Sequence, residues 1–291
     1  MRRAAIASVC VSLFLVAIKT FAYFASHSVA MLASLADSAL DLFTASINML
    51  AIRQALTPAD AEHRFGHGKA EPLAGLAQGA FITASALFLV IQAANRILAP
   101  EPIDNSVQAL IVMCIAIACA ILLILYERRV VAQTGSLAID ADQTHYLGDL
   151  ATNVGVVLAL VLSAYLGWVL ADPIIAIAVA GVMAWTAFGV ARSSFNQLMD
   201  RELPDEERAR IRRIAEGHDA VMNVHDLKTR AAGLSTFIQL HLALDPDMPL
   251  KEAHKISDAV EQAIRNAYPG AEVIIHQDPA GLEPLPPDFS D

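Results

Sequence analysis

Six long apolar runs occupy the first two-thirds of the chain, and each is long enough to cross a lipid bilayer. A membrane-spanning helix needs about 20 consecutive, mostly apolar residues. Of the 291 residues only 17% are charged, whereas charged residues make up about 25% of a soluble domain. The sequence therefore predicts an α-helical membrane protein with a six-transmembrane-helix bundle. The runs are residues 4–25, 29–55, 71–98, 106–127, 143–167 and 173–197.

Positive charges are concentrated in alternate connections between these runs. Lys and Arg occur before the first run and after the second, fourth and sixth, whereas the connections 26–28, 99–105 and 168–172 contain none. Because cytoplasmic connections carry the excess of Lys and Arg, both termini are predicted to be cytoplasmic. Lys19 is a cation inside the first run, and we expect its long side chain to reach out to the membrane surface.

The sequence changes character after residue 202, where an acidic segment begins. A proline followed by three acidic residues is typical of a helix start, and the segments 223–232 and 234–244 predict a β-hairpin. An amphipathic helix at 249–268, whose apolar stripe begins at Leu250, and a strand at 271–278 complete an α-β-β-α-β order. The predicted domains are a transmembrane transport domain (1–202), a cytoplasmic α+β domain (203–280) and a disordered tail (281–291).

Charge and motifs argue against several other classes of protein. The formal net charge is −10, and such an acidic chain is a poor partner for nucleic acid. An intramembrane metalloprotease needs a pattern such as H-E-x-x-H, and a primary pump needs a nucleotide-binding motif; neither pattern is in the sequence. We therefore expect a protein that is not an enzyme, which leaves a transporter, a channel or a metal sensor.

Two pairs of polar side chains interrupt the apolar runs at helical spacing. Asp37 and Asp41 lie four residues apart in the second run, as do His145 and Asp149 in the fifth, so each pair shares one helix face. A carboxylate at the bilayer centre costs roughly 2.5–3.5 kcal/mol, which points to a function. Packed side by side, these helices offer three carboxylates and one imidazole, four ligands for zinc. The donors also suit cadmium, ferrous iron or manganese.

The alternative is that these polar side chains only hold helices together. Hydrogen bonds between polar groups in a membrane contribute about 0.6 kcal/mol on average. Three acids without a bound cation are poorly suited to that role, which favours the metal site. For Asn48 and Asn153, on the same two helices, both lining of the site and helix packing stay open.

A second group of metal-ligating residues lies in the connection 58–72. Asp60, His63 and His67 would share one face if this connection were locally helical. The residue types predict a cytoplasmic metal-binding loop, and a solvated polar loop is the alternative.

The predicted soluble domain contains five of the nine histidines. His218 lies alone in a turn and reads as a solvated side chain. His276 and Asp278 are two residues apart on a strand, so they point the same way. Lone surface histidines are usually only solvated, but four of them near one aspartate predict a second metal site. Its residues are His225, His241, His254, His276 and Asp278.

Over residues 1–280 the chain resembles the cation diffusion facilitator family, in its bacterial zinc and ferrous-iron efflux branch. The segments "DSALD" in the second run and "HYLGD" in the fifth are similar to the transport quartet of the family. "FGHGKAEPLAGLAQ" is similar to the start of its third helix. The cytoplasmic segments "VHDLKTRAAG", "FIQLHL", "AHKISDAVEQAI" and "VIIHQDP" resemble that branch.

The resemblance implies a homodimeric, proton-coupled antiporter that exports divalent metal cations, with a metallochaperone-like cytoplasmic domain at the dimer contact. Zinc is the expected substrate and structural ion, with cadmium or ferrous iron also possible. It further implies Gln277 as an extra contact at a binuclear cytoplasmic site and an interprotomer charge interlock between Lys69 and Asp200. No His-rich tract follows the fourth run, which indicates a bacterial inner-membrane protein. The implied metal ligands are Asp37, Asp41, His145 and Asp149 for transport, Asp60, His63 and His67 in the loop, and His225, His241, His254, His276 and Asp278 in the cytoplasmic domain.

Overall fold

Six helices of 25 to 30 residues make up most of the N-terminal part of the chain in this computed structural model. The chain divides into two units, Met1–Phe195 and Asn196–Asp291, which are considered separately below. The predicted disorder of the tail concerns residues that, apart from Gly281, lie outside the described part of the chain. The described residues are 1–26, 29–98, 107–166, 171–233 and 235–281.

Four of the six long helices are long and apolar enough to cross a membrane by length and composition. These are α1, α3, α4 and α6. Within the described residues α2 and α5 are not among them, and they are the helices that contain the four residues of the predicted transport site. The number of six spans therefore stays a prediction. The helices are α1 (Arg2–Ser26), α2 (Val29–Ala55), α3 (Ala70–Leu98), α4 (Val107–Thr134), α5 (Leu137–Leu166) and α6 (Ala171–Leu198).

The junction between α4 and α5 is shorter than the sequence predicts. Arg128 and Arg129 continue α4 instead of following it. The chain turns at Gly135, whose φ of 64° favours glycine, and the hydroxyl of Ser136 accepts a hydrogen bond from the N–H of Ile139 at 3.3 Å. The predicted boundary was wrong because loss of hydropathy marks the edge of an apolar run, whereas a helix continues until capping residues end it.

Small residues let α6 approach its neighbours closely. A Cβ atom on Gly75 of α3 would lie 2.4 Å from the hydroxyl oxygen of Ser194, and one on Gly155 of α5 would lie 2.8 Å from a methyl group of Ile175. A larger residue at Gly155 would press against the side chain of Ile175, whereas the hydroxyl of Ser194 could rotate away from a larger residue at Gly75.

The C-terminal unit has the predicted α-β-β-α-β order. Strand β2 is central: it pairs antiparallel with β1 and parallel with β3, which gives the order β1-β2-β3. The predicted hairpin and last strand are thus confirmed. The elements are α7 (Asp205–Glu216), β1 (Asn223–Ala232), β2 (Ser235–Leu244), α8 (Leu250–Ala267) and β3 (Glu272–Pro279).

One face of this sheet packs with α7 and α8 around a common core. The predicted apolar stripe of α8 is buried from Ala253 onwards, but Leu250 is 78% exposed. Leu250 is the first residue of α8, and the helix contacts the core only from Ala253 onwards. The prediction that Leu250 belongs to the buried stripe was therefore wrong. The central buried side chains are Ile211, Ile238, Leu240, Leu242, Val260 and Ile264.

Candidate metal sites

Helices α2 and α5 bring three of the predicted transport residues together. Nε2 of His145 lies 3.1 Å from Oδ1 of Asp41 and 3.6 Å from Oδ2 of Asp149. One ligand atom from each of the three residues lies within 4.8 Å of the others. The i, i+4 spacing on α5 orients His145 and Asp149 toward the same point. The cluster has a size that one divalent ion could occupy, since zinc binds such donors at about 2.0–2.2 Å.

Asp37 lies outside this close cluster. It lines the same cavity, whose volume is about 630 Å³, but it is not among the described residues whose ligand atoms lie within 4.8 Å of one another. The structure thus joins three of the four predicted ligands, with Asp37 one helical turn from Asp41.

Aromatic packing and hydrogen bonds fix the position of the α5 ligands. The ring of Phe81 meets His145 edge-on, with centroids 5.8 Å apart. The adjacent Tyr146 hydroxyl lies 2.7 Å from the hydroxyl of Ser12 on α1. His145 is 3% exposed, and its Nδ1 has no hydrogen-bond partner among the described residues. Nε2 is therefore the imidazole nitrogen that faces the carboxylates of Asp41 and Asp149.

The two asparagines differ in their roles. Asn48 is buried, and its amide donates a hydrogen bond to the carbonyl of Ala138 at 3.1 Å, which joins α2 to α5. Asn153 lines the cavity, and its amide donates to the backbone carbonyl of Asp149 at 2.9 Å. Helix packing thus accounts for Asn48, and the cavity contains Asn153.

Lys19 does not reach the membrane surface as expected. Its ammonium donates hydrogen bonds to the carbonyl of Ser34 at 3.1 Å and to the hydroxyl of Ser38 at 2.7 Å. Its side chain lines the same cavity as Asp37, Asp41 and His145. The expectation was wrong because hydropathy gives the depth of a residue but not the direction in which its side chain points.

The loop residues also meet, although the connection is not helical. The connection after α2 consists of turns and bends. Nδ1 of His63 lies 3.4 Å from Oδ1 of Asp60, and Nε2 of His67 lies 3.3 Å from its Oδ2. The N–H groups of His63 and Glu62 donate to Oδ1 of Asp60 at 2.6 and 2.9 Å. The hydrogen bond from His63, followed by that from Glu62, lowers the pKa of the Asp60 carboxyl.

In the cytoplasmic unit, strand register aligns three histidines across the sheet. His225 of β1 pairs with His241 of β2, and His241 pairs with His276 of β3. All three surround Asp278: its Oδ2 lies 3.1 Å from Nε2 of His225 and 2.7 Å from Nδ1 of His241, and its Oδ1 lies 3.1 Å from Nε2 of His276. The row lies on the sheet face opposite the helices.

The charge state of Asp278 suits a metal ligand. Partial burial opposes its ionisation, but the hydrogen bond from His241 and the neighbouring His276 outweigh burial and lower its pKa. Asp226, which sequence reasoning missed, adds a second carboxylate 3.6 Å from Nε2 of His241. Asp226 lies at a β-bulge and has a φ of 45°. The segment "VHDL" that contains it does not predict a bulge, so the sequence did not place this carboxylate beside His241.

Two predicted cytoplasmic contacts are not part of this cluster within one chain. His254 on α8 has a 69% exposed side chain that faces Asp258 at 3.6 Å. The amide of Gln277 donates to the hydroxyl of Ser257 at 2.8 Å, on the helix side of the sheet. Successive strand residues point to opposite faces, so Gln277 cannot share the direction of His276.

The proposed interlock residues have other surroundings within the protomer. Asp200 accepts a hydrogen bond from Arg230 at 3.3 Å, and Lys69 is half-buried at the start of α3. The pairing of Lys69 with Asp200 between protomers stays a prediction.

A buried carboxyl pair escaped sequence reasoning. Glu127 of α4 and Asp142 of α5 are 0% and 1% exposed and interact with each other. None of their four carboxyl oxygens has a geometrically good hydrogen bond among the described residues. Only the pairing of α4 with α5 brings them together, so local spacing gave no signal.

Both units match known family models. Residues 5–199 match the cation efflux transmembrane domain, and residues 203–280 match the cytoplasmic domain of cation efflux proteins. The chain belongs to the cation diffusion facilitator family. The resemblance drawn from the motifs is thus confirmed. The family consists of membrane proteins that export cations, and its members are transporters and not enzymes.

Relatives align over nearly the whole chain. The cation-efflux pump FieF of Shewanella oneidensis is 46% identical over 278 residues, which cover 96% of this chain and 94% of the relative. FieF of Escherichia coli is 43% identical over 282 residues, 97% of this chain and 94% of the relative. A solved structure of the candidate zinc transporter CzrB, in its zinc form, is 40% identical and covers 29% of this chain and 98% of its own, with a TM-score of 0.28.

Proposed function

We propose that this family member is a proton-coupled antiporter that exports zinc, with cadmium or ferrous iron as further substrates. The observation that carries the proposal is the convergence of Asp41, His145 and Asp149 on one cavity among the long helices. Asp37, which lines that cavity, is the proposed fourth ligand. It would complete the set of four ligands.

Proton coupling follows from the chemistry of these ligands. Carboxylates and imidazole bind a metal ion only when deprotonated, so protons and metal compete for the same atoms. A cavity that faces the cytoplasm at neutral pH takes up metal. The same cavity facing a more acidic outer side takes up protons and releases the metal. Export into an acidic exterior is therefore the favoured direction.

The proposed assembly is a homodimer in the bacterial inner membrane, with six spans and both termini cytoplasmic. The sheet face that carries His225, His241 and His276 is not covered by α7 or α8 and supports a contact between two cytoplasmic domains. A binuclear zinc site at that contact would gain His254, whose side chain is exposed within one chain. Lys69 and Asp200 of opposite protomers would interlock near the membrane.

The loop site is proposed to receive metal on the cytoplasmic side. Asp60, His63 and His67 meet in a turn in which Asp60 and His63 are exposed, whereas the His67 side chain is 8% exposed. A three-residue site with two solvent-exposed ligands exchanges its ion readily with solvent, which suits a transient binding site better than a structural one.

The test is zinc flux in proteoliposomes with an imposed pH gradient and a pH dye inside. The full chain should move zinc against a counterflow of protons, whereas Asp149→Ala should not. Asp219→Ala removes an exposed aspartate outside the three clusters and serves as the matched control. Zinc flux without proton movement would indicate a channel, and no flux in the wild type would contradict transport.

A further inference from the structure

The side chain of Lys19 lines the cavity that contains the proposed transport ligands. Its ammonium is anchored by the carbonyl of Ser34 and the hydroxyl of Ser38, both on α2. Ser38 itself is 1% exposed, so this anchor is buried. The carboxylates of Asp37, Asp41 and Asp149 line the same cavity as the ammonium.

With a divalent ion bound, the charges of the three aspartates, the ion and a protonated Lys19 add up to zero. Three ionised aspartates carry three negative charges and a divalent ion carries two positive charges, which leaves one negative charge on a loaded site. An uncompensated charge removed from water is costly unless a partner of opposite sign is near. The ammonium of Lys19 supplies that partner, and the loaded cavity becomes neutral.

We propose, on the basis of the function proposed above, that Lys19 is a resident counter-cation that limits how tightly the transport site holds a divalent metal. In the empty site the ammonium offsets part of the carboxylate charge. In the loaded site it repels the metal ion more strongly than it offsets the one remaining negative charge, and this repulsion favours release on the outer side. Lys19 is thus a positioning and affinity-setting residue and not a ligand.

A purely structural role for Lys19 is the competing explanation, since its two hydrogen bonds also join α1 to α2. The two roles predict different variants to matter. Lys19→Arg keeps the charge with changed hydrogen-bond geometry, whereas Lys19→Met keeps the length of the side chain without the charge.

The experiment measures the zinc dependence of initial flux for the full chain in proteoliposomes at one fixed pH on each side. Removal of a unit charge near the ion should tighten zinc binding about tenfold or more at the effective dielectric constants of proteins. Lys19→Met should therefore lower the KM for zinc and also lower the maximal flux, because release becomes slow. Lys19→Arg should restore both values to near those of the wild type.

Unchanged KM and maximal flux in Lys19→Met would overturn the proposal, as would equal effects of Lys19→Met and Lys19→Arg. If Lys19→Met is not recovered in the membrane, Ser38→Ala replaces it: the ammonium loses one anchor, moves toward the carboxylates and should raise the KM about fivefold. An unchanged KM there overturns the proposal too. No flux in the wild type overturns the proposed function together with this inference, whereas wild-type flux with insensitive variants overturns this inference alone.

Discussion

Replacement of Asp278 by alanine tests the cytoplasmic site most directly, because three histidines converge on this one carboxylate. Its Oδ2 is hydrogen-bonded to His225 and His241, and its Oδ1 lies 3.1 Å from His276. A hydrogen bond to a charged group contributes about 1.5–3 kcal/mol. Because the Asp278 side chain is only 19% exposed, its loss should lower the metal-free stability of the domain by about 2 kcal/mol.

Zinc should widen this difference. A ligand at 100 times its Kd stabilises the folded state by about 2.7 kcal/mol. In a domain of this size about 1 kcal/mol shifts the unfolding midpoint by about 4–8 °C. The wild-type domain should therefore gain about 10–20 °C with zinc, whereas Asp278→Ala should gain almost nothing.

The assay is thermal unfolding of segment 196–291, followed by circular dichroism with zinc and with a chelator. This segment contains its own buried core. His218→Ala is the matched control, since His218 lies outside the cluster and its Nδ1 accepts a hydrogen bond from the N–H of Ala220 in its own turn at 3.3 Å. A full zinc shift in Asp278→Ala, or none in the wild type, would refute the reasoning.

Three further predictions concern the membrane helices. Asp149→Ala should abolish zinc flux while gel filtration still shows a folded protein, because only a cavity ligand is lost; normal flux would remove Asp149 from the site. His145→Asp should retain some flux but lose preference for zinc over manganese in a panel of ions, because an all-oxygen site favours harder ions; an unchanged ranking would falsify this role. Glu127→Gln should keep or raise the melting temperature in detergent, since a buried ionisable group is removed, whereas Glu127→Arg should cost several kcal/mol. Equal melting temperatures for Glu127→Gln and Glu127→Arg would contradict the burial argument.

Much of the proposed site follows from local sequence geometry. Helical periodicity predicts that Asp37 shares a helix face with Asp41, and that His145 shares one with Asp149. Strand alternation likewise placed His276 beside Asp278. Both rules depend only on the backbone of one element, so they hold wherever that element packs.

Rules that apply within one helix or strand do not predict contacts between elements. The loop residues Asp60, His63 and His67 would have shared one face of a helix, but they meet in a turn instead, because an aspartate that accepts backbone N–H groups favours a turn. The count of histidines grouped His254 with the cytoplasmic site and the family resemblance added Gln277, although within one chain each of them faces another residue.

The sequence by itself determined the long helices, the α-β-β-α-β order and the chemical types of the ligands, since these depend on periodicity and residue chemistry within short segments. Only the tertiary structure decided that Lys19 faces the cavity, that Glu127 meets Asp142, and that Asp37 lies outside the close cluster. The physical reason is that side-chain direction within a bundle depends on how each helix is rotated against its neighbours. That rotation results from packing over the whole bundle and has no signature in any one helix.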